Sequence, residues 1–337
     1  MTGTDEDPRS RGRLSDQIRA NEAMRQRCPA TRSNCLLGLV DPDGNLDPSS
    51  SPAVVPWWSF TKTLIAACIL RLAERGSIAL DARLHGKPFT TRQLLQHRAG
   101  VRNYGELAEY HEAVERGERP WPVAELLERI PLDDLTFTPA TGWAYSNIGY
   151  LLLRQEVERL TGASLAEALA SIILRPLGLE ACRMAETADD MQRTALFPPH
   201  VYDPGWVYHG CVIGPVGEAA LALHRLLAGP LLAPASRQAM LSCFAIGGGI
   251  PGRPWVTTGY GLGLMMGSMQ DAHAGCRLEV AGHSAGGPGS TGAVYHAVTA
   301  DGRRTAAAFA SGSDTGIAEG EALRILLSGQ LPPEMPK

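Results

Sequence analysis

Residues 59–76 read SFTKTLIAACILRLAERG. From Thr61 onward the pattern predicts a helix, stopped at Gly76. Apolar residues fall on nearly every side of it, so this helix has no face to offer water. It is expected to be central and covered all round, which takes a large supply of other apolar surface. The chain has 337 residues, 44% of them hydrophobic, enough for a sizeable core and for about two domains.

One residue conflicts with that burial. Lys62 stands in the first turn of the helix, in a chain that otherwise writes its positive charge almost entirely as arginine: lysine occurs only at Lys62, Lys87 and Lys337. Arginine does not give up its proton, whereas a buried lysine has a lowered pKa and can act as a base. Ser59 lies three residues earlier, and positions i and i+3 of a helix share a face. A serine there also meets the free N–H groups of a helix N-terminus, which favour developing negative charge. The plain structural reading is that Ser59 caps the helix and Lys62 snorkels to the surface.

A third element bears on that choice. The segment PATGWAYSNIGYLLL (139–153) places Tyr145-Ser146-Asn147 after a Pro/Gly turn and at the front of a helix. A tyrosine poised beside a lysine can serve as a proton carrier, and an asparagine can orient it. Alternatively Tyr145 packs in the core while Ser146 or Asn147 caps the helix. A rival serine also exists. Gly282-His283-Ser284-Ala285-Gly286 fits the G-x-S-x-G pattern of a nucleophile elbow. That motif needs a helix after the serine and further elements carrying an acid and a histidine. Here a Gly-rich stretch with Pro288 follows, and the chain ends at Lys337, too soon to fit them. A Gly-rich turn is the simpler reading of Ser284.

The surrounding patterns set the architecture. CLLGLVDPDGNLD (35–47) reads as a strand and turn, and PAVVPWW (52–58) as a short extended run. Helical spacing dominates from about 85 to 240. Strand patterns return in GYGLGLMMG (259–267), read as a Gly-kinked strand, and in CRLEVAGHS (276–284), TGAVYHAVT (291–299) and RRTAAAFASG (303–312). A last helix is expected over 316–329. The chain is therefore expected to be an α/β (α+β) two-domain protein, with an antiparallel sheet flanked by helices and built from both termini. The sheet domain takes residues 13–84 and 241–337, a mostly helical domain takes 85–240, and a disordered tail takes 1–12. A cleft between the two domains is the expected site.

Several function classes are excluded. A net charge of −4 offers nothing to nucleic acid or an acidic membrane surface. No apolar run reaches a membrane span, and the polar start MTGTDEDPRSRGRLSDQ lacks the pattern of a secretory signal. The expectation is a cytoplasmic protein whose seven scattered cysteines are thiols. No metal or cofactor is expected: the nine histidines show no H-E-x-x-H or zinc spacing, and no phosphate loop is present. His97 reads as structural. Trp57, Trp58, Trp143, Trp206, Tyr208 and Trp255 divide between a core and an aromatic substrate pocket.

Taken together, Ser59-x-x-Lys62, Tyr145-x-Asn147 and His283-Ser284-Ala285 resemble, in order and spacing, the three motifs of the serine β-lactamase and penicillin-binding-protein superfamily. The likeness is to its class C β-lactamase-like branch of esterases, D-aminopeptidases and carboxypeptidases, and it extends to TTRQLLQHRAGV (90–101), IILRPLGLE (172–180) and YGLGLMMG (260–267). The resemblance implies a β-lactamase-like fold and a hydrolase of small esters, amides or D-amino-acid peptides working through a Ser59 acyl-enzyme. It implies that Lys62 and Tyr145 share the base role and that the backbone N–H groups of Ser59 and Gly286 form an oxyanion hole. It further implies that Asn147 orients Lys62, and that Asn147, His283, Ser284 and Ala285 bind substrate, with Ser284 on a strand edge. The third motif departs from the usual Lys/His-Thr-Gly by Ser284 and Ala285, and the extra methyl at 285 is expected to narrow the cleft. Alternatives are a non-catalytic ligand-binding or scaffold member of the same fold, and a true β-lactamase.

Overall fold

A strand buried at consecutive positions needs cover on both faces, and β10, Gly302–Ser311 (GRRTAAAFAS), is buried from Arg304 to Ala310. In the computed structural model, which describes residues 35–196, 202–272 and 275–332, it lies inside a seven-stranded antiparallel sheet. The other members are β1 (Leu36–Val40), β5 (Phe244–Gly247), β6 (Trp255–Tyr260), β7 (Met265–Gln270), β8 (Arg277–Gly287) and β9 (Ser290–Thr299), in the order β1-β10-β9-β8-β7-β6-β5. Because side chains alternate along a strand, Ala306 and Ala308 face the helix Thr315–Ser328 through Ala318, Ala322 and Leu326. Ala307 and Phe309 face the main core on the other side. Successive C-terminal strands are joined by tight connections, and β1 closes the edge by pairing Leu36–Val40 with Thr305–Phe309. The α/β architecture built from both ends of the chain is therefore observed.

The central helix, Thr61–Glu74, is buried at every residue from Thr61 to Leu70 and again at Leu72. It packs against the helix Asn147–Thr161 and the segment Leu165–Leu174. A small sheet, in the order β2-β4-β3, joins β2 (Val54–Pro56), β3 (Arg183–Met184) and β4 (Val212–Pro215). Strands β3 and β4 fall in the stretch read as helical; two to four residues are too short to show an alternating pattern.

One expectation changes. GYGLGLMMG is two strands rather than one kinked strand: β6 and β7 are joined by a turn over Gly261–Leu264, with Gly263 at φ 75° against Ala66 of the central helix. The boundary at 240 assigned the helix Val216–Ala228 to the helical domain, but it packs on β1, β9 and β10. We propose a division that groups this helix with the sheet. The expected tail over 1–12 and the helical pattern over 14–28 lie outside the described residues. Among the described residues, no helix is long and apolar enough to cross a membrane.

The fold brings Ser59 to the sheet through Trp58, which meets β8 and β9. Ser59 occupies a single 3-10 turn, Trp58–Phe60, just before the central helix. Trp58 holds a positive φ of 40°, unusual for a residue with a side chain. Its indole lies flat where a side chain at position 287 of β8 would be, and its Nε1 donates to Ser290 Oγ at 3.0 Å. A Cβ at Gly287 would meet the ring at 2.5 Å, whereas one at Gly286 would meet nothing closer than 3.9 Å. Gly287→Ala is therefore expected to cost about 1–3 kcal/mol in chemical denaturation, the usual range for overpacking. Gly286→Ala should unfold at nearly the wild-type denaturant concentration; equal losses for the two would show that the indole does not set this spacing.

Candidate active site

The order of residues just before the helix Asn147–Thr161 decides where Tyr145 goes. Ser146 is the N-cap: its Oγ accepts from Gly149 N–H at 3.0 Å and donates to the Arg102 carbonyl at 2.8 Å. Asn147 N–H donates to Asn103 Oδ1 at 3.2 Å. Tyr145, one residue earlier, is in extended chain held by His97. The Nδ1 of His97 accepts from Ser146 N–H at 3.1 Å, its carbonyl accepts from Ala144 N–H, and its ring lies 4.3 Å from that of Tyr145. His97 is thus structural, as expected, and serves as the buttress of Tyr145.

The hydroxyl of Tyr145 donates to Ser59 Oγ at 3.0 Å, and Lys62 Nζ lies 3.1 Å from the same oxygen. Lys62 is fully buried. Loss of hydration holds its pKa well below the usual amine range, opposed weakly by Cys211. Burial also pushes the Tyr145 phenol up, opposed by its bond to Ser59. Both effects favour the uncharged forms, an amine and an intact phenol. Such a pair can take a proton from a serine hydroxyl and give one to a neighbouring atom.

A further residue meets Lys62 that sequence reasoning missed. Lys62 Nζ lies over the imidazole of His209, 3.0 Å from Nε2 and 3.4 Å from Nδ1, and the ring is buried. Asn147, expected to orient Lys62, makes no hydrogen bond to it; its half-buried side chain lines the cleft instead. No sequence signal joins His209 to Lys62, because the approach is made only when the chain before β4 folds over the helix start.

The third motif is divided by strand alternation. His283 is on the site side, its ring 6.4 Å from that of Tyr145. Its Nδ1 donates to the Ser284 carbonyl at 2.5 Å, so Nε2 accepts from Tyr260 OH at 2.8 Å. Burial, then Lys62, lowers its pKa to about 3. Ser284 points to the opposite face, where its hydroxyl bonds Glu319, Tyr295 and Arg253. Arg253 and Trp255 Nε1 also donate to Glu319. The expectation that Ser284 binds substrate on a strand edge is therefore corrected: β8 is interior, and the hydroxyl belongs to a buried network. Ala285 is corrected likewise, since its methyl is 2% exposed in the main core and does not narrow the cleft. Gly286 is exposed and lines the cleft with Ser59.

Two cavities border this cluster. One, of about 500 Å³, is lined by Trp58, Ser59, Tyr104, Tyr110, Asn147, Tyr202, His209 and Gly286, among others. The other, of about 230 Å³ and almost wholly apolar, is lined by Trp143, Tyr145, Ile246, Ile250, Trp255 and Met265 and their neighbours. Of the aromatic residues singled out in the sequence, Trp58, Trp143 and Trp255 line cavities, while Trp57, Trp206 and Tyr208 are core.

Comparison with known proteins gives the family and the fold. The family model described as Beta-lactamase matches residues 43–330. Esterase EstB of Burkholderia gladioli is 32% identical over 145 residues, covering 37% of this chain and 36% of that protein. Penicillin-binding protein 4* of Bacillus subtilis (strain 168) is 30% identical over 138 residues, 37% of this chain and 29% of that one. The matches thus span about a third of the length of these curated relatives. Among solved structures, a D-stereospecific amidohydrolase from Streptomyces sp. superposes with a TM-score of 0.66 at 23% identity, covering 94% of this chain and 99% of that one. The D-amino acid amidase of Ochrobactrum anthropi SV3, complexed with D-phenylalanine, gives 0.68 at 17% identity, covering 93% and 98%.

The buried neutral histidines carry a pH consequence. His283 and His296 both have folded-state values near 3, against an ordinary 6.5, and burial is the main cause in each. Between those values the unfolded chain binds protons that the folded chain refuses, so stability is full above pH 6.5 and falls as pH drops toward 3. Thermal midpoints measured across that window should decline, and His283→Asn and His296→Asn should each flatten the decline. An unchanged slope in both variants would mean that these imidazoles are not the source.

Proposed function

Because the chain belongs to the beta-lactamase family, we propose that it is a serine hydrolase that cleaves ester or amide bonds of small molecules through an acyl-enzyme on Ser59. The observation that carries this reading is the position of Ser59 Oγ, 3.1 Å from a buried amine and 3.0 Å from a half-buried phenol. The names of the esterase relative and the amidase neighbours supply the two bond classes.

Lys62 is the resting base in this mechanism, because burial removes the charge from the amine and keeps the proton on Tyr145. Lys62 takes the Ser59 proton as Oγ bonds to the substrate carbonyl carbon. The backbone N–H groups of Ser59 and Gly286 receive the oxyanion, each donor lowering the barrier by about 3–4 kcal/mol. Tyr145 gives its proton to the leaving atom as that bond breaks. The acyl-enzyme then faces a Tyr145 phenolate and a Lys62 ammonium. Water from the cleft attacks the acyl carbon, Tyr145 takes the water's proton, and Lys62 returns its own to Ser59 Oγ. Both groups end as they began.

The substrate is held between two unlike walls: an aromatic cleft with polar groups on the Ser59 side and an apolar cavity beyond Tyr145. His283 is neutral and bonded to Tyr260, and Arg253 is paired with Glu319, so neither offers a free cation to a substrate carboxylate. These features favour uncharged esters and amides over anionic substrates such as β-lactams.

Hydrolysis of p-nitrophenyl acetate should be abolished by Ser59→Ala and lowered about 10²–10⁴-fold by Tyr145→Phe, the range for loss of a proton-transfer group. A fluorophosphonate probe should label Ser59 and leave Ser284 untouched, as read by peptide mapping. Hydrolysis that survives in Ser59→Ala, or label on Ser284, would end this reading.

A further inference from the structure

Once Ser59 Oγ attacks an ester or amide, the three substituents of the carbonyl carbon each need a place. The oxygen goes to the backbone N–H groups of Ser59 and Gly286. The leaving atom must come within hydrogen-bond reach of its proton donor. Lys62 is fully buried and lines neither cavity, so in the proposed mechanism that donor is Tyr145. The acyl chain takes the space that remains.

The two cavities divide along this line. Ser59 and Gly286 line the larger cleft, whereas Tyr145 lines the apolar cavity of about 230 Å³. We infer that this apolar cavity holds the leaving group, the alcohol half of an ester or the amine half of an amide, and that Ile246 sets how large that group can be. This rests on the reading of Ser59 as nucleophile and Tyr145 as proton donor. As the bond from the carbonyl carbon to the leaving atom breaks, its electron pair stays on that atom. The Tyr145 proton joins it there, and the group departs as a neutral alcohol or amine.

The lining fits an uncharged, apolar group. Among the described residues no charged side chain borders the cavity. Three of its polar groups already donate within the protein: Tyr260 OH to His283 Nε2 at 2.8 Å, Trp255 Nε1 to Glu319 at 2.9 Å and Thr258 Oγ1 to the Gly248 carbonyl at 3.1 Å. A cavity of about 150 Å³ with apolar walls accepts benzene. The cavity beside Tyr145 therefore has room for a benzyl group or an alkyl chain of similar bulk.

Ile246 owes its place to an irregularity in the sheet. The pairing of β5 with β6 matches Ala245 to Gly259 and Gly247 to Thr258, so Ile246 is an extra residue with no partner across the ladder. Such a bulge re-aims a side chain, and bulges are common beside active sites. Here Ile246 lines the cavity with 39% of its surface exposed. A side chain in that position can be enlarged without displacing the core.

The test uses the full chain and the acetate esters of methanol, butanol and benzyl alcohol, followed by acid release. These alcohols differ little in acidity, so the series reads the fit of the leaving group. In the wild type kcat/KM should rise about 3–4-fold per methylene from methyl to butyl, the worth of burying each one, and stay high for benzyl acetate. Ile246→Trp should lower the benzyl-to-methyl ratio about 10-fold, as crowding a hydrophobic pocket does. It should leave the hexanoate-to-acetate ratio of p-nitrophenyl esters where it was. A flat wild-type series, or a variant in which the acyl ratio falls and the alcohol ratio holds, would overturn the assignment and leave Ser59 as nucleophile. Hydrolysis surviving in Ser59→Ala would remove the parent reading instead. The wild-type series needs no variant, so a misfolded Ile246→Trp does not shelter the proposal.

Discussion

An amine kept out of water at the head of an apolar helix is the constraint on which the rest of this molecule turns. The helix Thr61–Glu74 is enclosed on every side, and Lys62 is enclosed with it. Charging that amine would set an ion in a site without a counter-ion, at a cost of several kcal/mol. The protein leaves it uncharged and surrounds it with uncharged partners: a serine, a phenol, an imidazole and two aromatic faces. The tyrosines and the imidazole come from distant parts of the chain, so packing of the whole helical region is what keeps the site in order.

Some of this was legible in the sequence. Ser59 and Lys62 lie one helical turn apart, so local geometry alone joined them. Tyr145 could be placed because Ser146 caps the helix that follows and leaves its neighbour in extended chain. The two-ended sheet followed from where strand patterns stop and resume. His209 was not legible. It meets Lys62 across 147 residues, and nothing local marks it. Ser284 was misassigned although the information was present: adjacent residues of one strand face opposite ways, so His283 and Ser284 cannot both line the cleft. β3 and β4 escaped notice because two or four residues carry no period. The Gly261–Leu264 turn was read as a kink, since glycines in a strand and glycines between strands look alike until pairing is known.

The Ser284 network also explains a chemical feature of the site. Glu319, fully buried on the far side of β8, accepts from Arg253, Trp255 and Ser284. A buried carboxylate is tolerated when its lone pairs are filled in this way. The arrangement ties the last helix, Thr315–Ser328, to the strand that borders the cleft. It also commits Arg253 to that carboxylate.

The pairing of β1 with β10 has a consequence for how the molecule is made. The first described strand of the chain finds its place only beside one of the last, and the helix Val216–Ala228 rests across both. A ribosome releases Leu36–Val40 long before Thr305–Phe309 exists. Until then β1 is an apolar ribbon without a neighbour, and the main core is open along that edge. Contacts between such distant segments make folding slow. Newly made chains therefore leave the apolar edge of β1 uncovered until β10 emerges, the kind of surface through which incomplete chains associate.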